Sequence, residues 1–278
     1  MPTRFSLDHV TCIALEGIDA RAFAQSQFTA SIDDMPGRTW SPLAWCDPKG
    51  RVLAFMLACP GEDRVELALP LEQAEAVARR LRMFTIGRKV SVSDPCALVG
   101  SIEPEPEPEP GMPVLACDAT RAMMAAPPPR AQAGANGQRA GSQRWRQLDL
   151  CQGLPWLGEA SSGVFLPQWL GLEALGGLSY TKGCYPGQEI IARVHYRGTV
   201  KYRLQGLCIA ASVAPEPMSR VTDAGGQALG HWLYGLKEVD RTVGLAVLRS
   251  DRSQADSVQV QVGASGHWAQ VTPTEALC

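Results

Sequence analysis

Eight residues, KGCYPGQE from Lys182 to Glu189, set a cysteine beside a lysine and between two glycines, just ahead of IIARVHYRG. A cysteine reacts and binds metal as its thiolate, which a neighbouring cation or a helix N-terminus favours. Pro186 and Gly187 read as a turn, and from Gln188 onward Ile190, Ile191 and Val194 fit an apolar helix face that Gly198 ends. Cys184 is therefore expected just before a helix N-terminus, whose unpaired N–H groups favour negative charge. Two readings follow from the spacing. Either Cys184 is a functional thiol tuned by Lys182 and the helix, or it is a small residue in a tight turn.

No partner residue makes this cysteine a hydrolase nucleophile. Of His9, His195, His231 and His267, only His195 is near in sequence, and at the far end of the helix it reads as a surface or packing residue. The chain has no P-loop, no GxGxxG before a helix, no HExxH and no GxSxG. Its nine cysteines are scattered, without CxxC pairs or Cys/His ligand spacing. Reduced thiols and no bound metal are expected. Arg193, Arg197, Lys201 and Arg203 crowd the helix and the strand after it, as a solvated face or as a patch for an anionic tail or phosphate. A formal net charge of -2 gives no whole-molecule attraction to nucleic acid or anionic membrane, so no direct nucleic-acid binding is expected. No apolar run approaches the roughly 20 residues of a membrane helix, and MPTRFSLDHV lacks a signal-peptide pattern. A cytoplasmic protein with no membrane contact is expected.

The elements that must position this chemistry read as α+β, then all-β. Asp19 is placed to cap a helix over ARAFAQSQFTA. RVLAFMLACP suits a strand buried on both faces, and DRVELALP alternates Val65, Leu67 and Leu69 as a half-buried strand does. Leu71, Ala74, Val77, Leu81 and Phe84 fall at helical spacing, and KVSVSD reads as a further strand. EPEPEPEPG, Glu103 to Gly111, reads as an extended solvated linker, because proline blocks both ladders and the carboxylates repel. AAPPPRAQAGANGQRAGSQ reads as a second soft region, and PVLACDATRAMM between them as a strand and a short helix. After Arg203, RLQGLCIA, RTVGLAVLR and SVQVQVG are short alternating strands, which argue for a small C-terminal barrel or sandwich.

The residues around the cysteine also carry a family resemblance. GLEALGGLSYTKGCYPGQEIIARVHYRGTVKYRL resembles the signature of the YgfZ-type folate-binding proteins, relatives of the glycine-cleavage aminomethyltransferase or T protein. LEGIDARAFAQSQFTASIDD, WCDPKGRVL and LRMFTIGRKVSVSD resemble the opening of that family in order and spacing, and RWRQLDLCQGLPWLG with FLPQWLGLEALGG its middle. The resemblance implies an aminomethyltransferase-like folate-binding fold, with two α+β subdomains over residues 1–203 and a C-terminal β-barrel over 204–278. It implies tetrahydrofolate or another reduced folate as ligand, and a role in assembling or repairing iron–sulfur enzymes, tRNA-thiolating enzymes among these partners. Cys184 and Lys182 become the catalytic candidates, Trp145, Asp149 and Tyr185 the folate contacts, and Gly183, Gly187, Gln188 and Glu189 the residues that shape the loop.

Three departures from the family pattern qualify this. Val10 stands where some relatives carry an aromatic residue. Aminomethyltransferases have an acidic pair after the turn that aligns with Gly50 and Arg51, and this chain has Ala54 and Phe55. Neither can polarise a reacting amine, which weighs against a folate-dependent aminomethyltransferase or other one-carbon enzyme acting on a small amine. Cys151 stands where relatives tend to have a glutamate for the pterin, and Asp149, two residues away, substitutes only if the backbone re-aims it.

Overall fold

The computed structural model describes residues 4–102, 113–126, 135–252, 257–262 and 265–277. The EPEPEPEPG segment and residues 127–134 of the second soft region lie outside them. The chain opens with β1 (Phe5–Glu16), α1 (Ala20–Gln27), β2 (Thr39–Cys46), β3 (Val52–Pro60), β4 (Arg64–Pro70) and α2 (Leu71–Arg82). There follow β5 (Ser91–Val92), β6 (Cys96–Ile102), β7 (Val114–Leu115), β8 (Asp118–Ala125), α3 (Ala135–Cys151) and α4 (Gln188–Arg197). Strands β9 (Tyr202–Ile209), β10 (Arg220–Thr222), β11 (Ala228–Lys237), β12 (Thr242–Arg249), β13 (Ser257–Val262) and β14 (Ser265–Thr272) complete it.

The first eight strands form one sheet in the order β4-β3-β2-β7-β8-β6-β1-β5, which closes on itself because β1 also pairs with β4. One sheet thus spans the region in which two α+β subdomains are expected. β3 shows why its sequence is an unbroken apolar run: Val52, Phe55, Leu57 and Cys59 enter one core cluster, and Ala54, Met56 and Ala58 enter the other. A strand covered on both faces has no polar side to show. α1 and α2 cover the second cluster through Phe23, Ala24, Ala74, Val77 and Leu81.

The last six strands close a barrel in the order β10-β11-β12-β9-β14-β13. β12 alternates as the period-two rule requires, with Ala246 and Leu248 in the barrel's own core and Val243, Leu245 and Val247 facing the first sheet's core. Trp232 fills the barrel because Gly235 and Gly244 lack side chains: a Cβ at either would lie 2.4 Å from its ring.

Several local expectations are corrected. Asp19 makes no side-chain cap to α1; its Oδ2 accepts from Lys89 N at 2.7 Å, tying the helix start to the chain before β5. PVLACDATRAMM holds no helix, since β7 and β8 pair across it. KVSVSD contributes only the two residues of β5. The second soft region becomes helix from Ala135 onward. Gly137 and Gly141 argue against a helix by propensity, but a Cβ at Gly141 would meet the Phe5 ring at 2.5 Å. The glycine lets α3 press onto β1, and tertiary packing overrides propensity there.

Candidate functional site

The charged side chains that meet beside one cavity come from β1, β8 and α3. β1 pairs with β6 through Leu7 opposite Leu98, then resumes at Thr11 opposite Ala97, so Asp8, His9 and Val10 have no partner on β6. Extra residues of this kind bend a strand and re-aim its side chains. His9 Nε2 lies 3.2 Å from Asp149 Oδ2 on α3. Arg121 of β8 donates Nη1 to Asp149 Oδ1 at 2.5 Å, and Trp156 donates Nε1 to Asp149 Oδ2 at 2.9 Å. Arg121 also donates Nε to Asp118 Oδ2 at 2.8 Å, and its guanidinium lies 4.9 Å from the centre of the Trp145 ring. Asp149 and Arg121 are both fully buried.

Burial pushes the Asp149 carboxyl up, but the Arg121 charge and the His9 contact outweigh it and hold the group below the usual carboxylate range. Burial pulls His9 down, and the carboxylates of Asp149 and Asp8 more than offset that, so His9 sits above its ordinary value. Three of the roughly four lone-pair directions of a carboxylate are thus taken at Asp149. It is an anchored acceptor, with little capacity to take up a proton.

The cavity beside this cluster has a volume of about 420 Å³, within the range of small-molecule sites. Asp149, His9 and Trp156 line one side and Leu71 of α2 another, while Tyr234 and Leu236 of β11 contribute the barrel's wall. Arg146 also lines it and donates to Asp8 Oδ1 at 2.8 Å. Tyr234 Oη donates to Leu154 O at 2.7 Å, which fixes the barrel strand against the chain after α3.

Asp149 therefore reaches the cavity from its place on α3. Trp145, one turn earlier, does not line it; the ring is buried at 1% exposure, edge-on to Phe5 and against Gly100. Cys151 ends α3 buried and disulfide-bonded, a correction to the expectation of reduced thiols throughout. Ala54 and Phe55 are both fully buried, Phe55 edge-on to Trp156 at 5.1 Å, so no carboxylate enters the cavity from β3. His9, Arg121 and Trp156 are the members that reading the sequence missed. Separations of 140 residues from His9 to Asp149 and 28 from Arg121 to Asp149 leave no local spacing to find.

The cysteine loop is built elsewhere, on the turn between β2 and β3. Asp47 Oδ1 accepts from the backbone N of Lys49 and of Arg51, both at 2.8 Å, closing the turn around Gly50 at φ +73°. Gly187 meets that turn at φ +80°, and a Cβ there would lie 2.5 Å from Asp47 O and 2.6 Å from Gly50 Cα. Gly187 is also the N-cap of α4, which runs from Gln188 and stops at Gly198 as expected. Gly183 has neither constraint: no atom lies within 4 Å of where its Cβ would be.

Lys182 turns inward. Its Nζ donates to Phe28 O at 2.6 Å and Ala30 O at 2.8 Å, and burial brings the amine down to about 8. Tyr185 is buried under that ammonium, which lies 5.3 Å from its ring centre. Cys184 between them is exposed. Gln188 reaches back to Lys182 O at 3.5 Å, and Glu189 is exposed in the first turn of α4, where negative charge is favourable. Neither Cys184, Lys182 nor Tyr185 lines the cavity at Asp149. His195 is a surface residue, stacked on Tyr180 and bonded to Glu173 at 2.7 Å, while Arg193, Arg197, Lys201 and Arg203 are all exposed.

No family model matches the chain. It is 28% identical over 288 residues to the tRNA-modifying protein YgfZ of Edwardsiella ictaluri (strain 93-146), covering 92% of this chain and 87% of that protein. The protein of the same name from Klebsiella pneumoniae (strain 342) is 28% identical over 241 residues, covering 77% of this chain and 74% of its own length. Among solved structures, glycine cleavage system aminomethyltransferase T from Bartonella henselae matches with a TM-score of 0.70 at 14% identity, covering 98% of this chain and 85% of that one. The chain is thus similar to the YgfZ proteins over most of its length and has the fold of aminomethyltransferase T.

Proposed function

We propose that the protein binds a reduced folate such as tetrahydrofolate and serves as an accessory factor for assembling or repairing iron–sulfur enzymes, tRNA-thiolating enzymes among them, with Cys184 as the functional thiol. The observation that carries the folate reading is the cavity at Asp149. A pterin carries N–H donors on a flat ring, which calls for a fixed acceptor between apolar walls. Asp149 stays ionised with one lone-pair direction untaken, and Trp156, Leu71 and Leu236 supply the walls. His9 Nδ1 is buried with its nearest carboxylate oxygen, Asp8 Oδ1, at 3.6 Å, beyond hydrogen-bond length, so the donor set has capacity left for a polar ring. Arg146 offers a cation for the carboxylates of a glutamate tail. A reduced folate, when bound, supplies a carrier of one-carbon groups.

The relatives named tRNA-modifying proteins support the client class. Aminomethyl transfer is disfavoured by buried, apolar Ala54 and Phe55, and by the hold of three donors on Asp149. Titration calorimetry with tetrahydrofolate tests the ligand: the wild type gives saturable heat, and Leu71→Trp, at the exposed lip of the cavity, weakens it. No heat from the wild type rules the ligand out. The role of the thiol is tested in a bacterial strain lacking its own homologue, where Cys184→Ala is expected to leave iron–sulfur-dependent tRNA thiolation unrestored. Full restoration at normal protein level would sink that assignment.

A further inference from the structure

Cys12 on β1 and Cys96 at the start of β6 stand directly opposite each other in the antiparallel pairing. Residues so opposed place their side chains on one face with Cα atoms about 4.5–5.5 Å apart, inside the roughly 4.4–6.8 Å that a disulfide spans. Both are free thiols, Cys12 fully buried and Cys96 exposed. One sulfur of the pair can thus be reached from solvent, and the other is held behind it. A solvent-facing attacking thiol with a second thiol beside it to resolve the mixed disulfide suits disulfide exchange, whose rate depends on access to the attacking sulfur.

We propose that Cys12 and Cys96 form a dithiol site that exchanges with small-molecule disulfides and closes reversibly into a cross-strand disulfide. The Cys96 thiolate attacks one sulfur of the disulfide, forming a mixed disulfide and expelling one thiolate, which takes up the proton Cys96 gave. Cys12 then loses its proton and attacks Cys96 Sγ, forming the protein disulfide and releasing the second small thiol. The two protein thiols lose two electrons and two protons together, and the small disulfide gains them. The neighbouring Cys12 thiol brings Cys96 down to about 7 with help from Arg64, against burial and the Glu66 and Glu16 carboxylates, so the exposed sulfur carries the thiolate near neutral pH. The same contact, with burial, raises Cys12. Cys12 follows Thr11, where the register resumes, so the closed bond staples β1 to β6 at the edge of the insertion that holds His9. This site is independent of the folate reading and of Cys184.

The full-length chain is incubated with oxidised glutathione at neutral pH and mapped by mass spectrometry without reduction. The expected product is a peptide pair joined through Cys12 and Cys96, reopened by dithiothreitol. Cys96→Ser abolishes the link while leaving the glutathione reaction of Cys184 unchanged, and Cys12→Ala leaves a stable glutathione adduct on Cys96. A stable adduct on Cys96 of the wild type with no link to Cys12, or no reaction at Cys96, overturns the proposal. Cys12 lies in the core, so if its substitution impairs folding, the wild type and Cys96→Ser decide the matter.

Discussion

The Asp149 cluster and the Cys184 loop both gather residues from distant parts of the chain, but they place their polar groups in opposite ways. Around Asp149, carboxylate and guanidinium are sealed in the core, the half-buried imidazole meets the carboxylate at the cavity, and the three are matched against one another. Around Cys184 the frame is rigid and buried, through Gly187, Gly50 and Tyr185, while the thiol itself is left in solvent. In the first region the polar groups that face the cavity also hold the fold together. In the second the exposed thiol and the groups that hold the loop are separate, so a change at the sulfur leaves the frame intact. A loss of activity is therefore readable as chemistry at Cys184, and at Asp149 only with a measure of folding beside it.

The strongest way to break this contrast is Asp149→Ala. It leaves the buried Arg121 charge with Asp118 as its one carboxylate partner and is expected to cost about 3–5 kcal/mol in chemical denaturation; a smaller loss would mean that Asp118 and water make up for the missing carboxylate. Gly187→Ala probes the frame of the loop. A positive φ and a Cβ forced against Asp47 O are expected to cost roughly 1–3 kcal/mol, with Cys184 remaining reactive to thiol reagents. His9→Gln removes a group whose folded pKa is raised, so the stability His9 contributes is full below about pH 6.5 and fades as pH rises through the folded value. The variant should lose on the order of 1 kcal/mol in mildly acid buffer, and the difference from wild type should shrink toward alkaline pH. Asp149, with its depressed pKa, contributes in the other sense: its share is held above about pH 4 and lost as pH falls through the lower, folded value. The smallest effect belongs to Cys184→Ala, within about 0.5 kcal/mol of wild type in the same unfolding assay.

The turn and helix of the loop were legible in the sequence because the residues that announce them are local. Pro186, Gly187 and the apolar face of α4 announce a turn and a helix within a dozen residues. The strands announced themselves wherever one environment covered each face, as in β3 and β12. The charged core around Asp149 was not legible, because a buried Asp or Arg looks like a surface one until its partner is known. Asp118 and Arg121 fall three apart in a strand that composition had assigned in part to a helix. α3 was hidden for a related reason: its glycines read as softness, and the use of Gly141 is to let Phe5 approach. Lys182 shows the limit of adjacency, since two residues from the thiol its ammonium is spent on the carbonyls of Phe28 and Ala30.

β1 has a consequence for how the protein is made. Its first residues are held by a hydrogen bond from Ser6 N to Gln138 Oε1, 132 residues away, and His9 meets Asp149 across 140. At ribosomal speeds of about 5–20 residues per second, on the order of 10 s passes between synthesis of the strand and arrival of the helix that completes the cavity. Contacts of such long range are also slow to form. Through that interval the apolar edge of the strand is without its final cover, and a nascent chain has most need then of something to shield it from its neighbours.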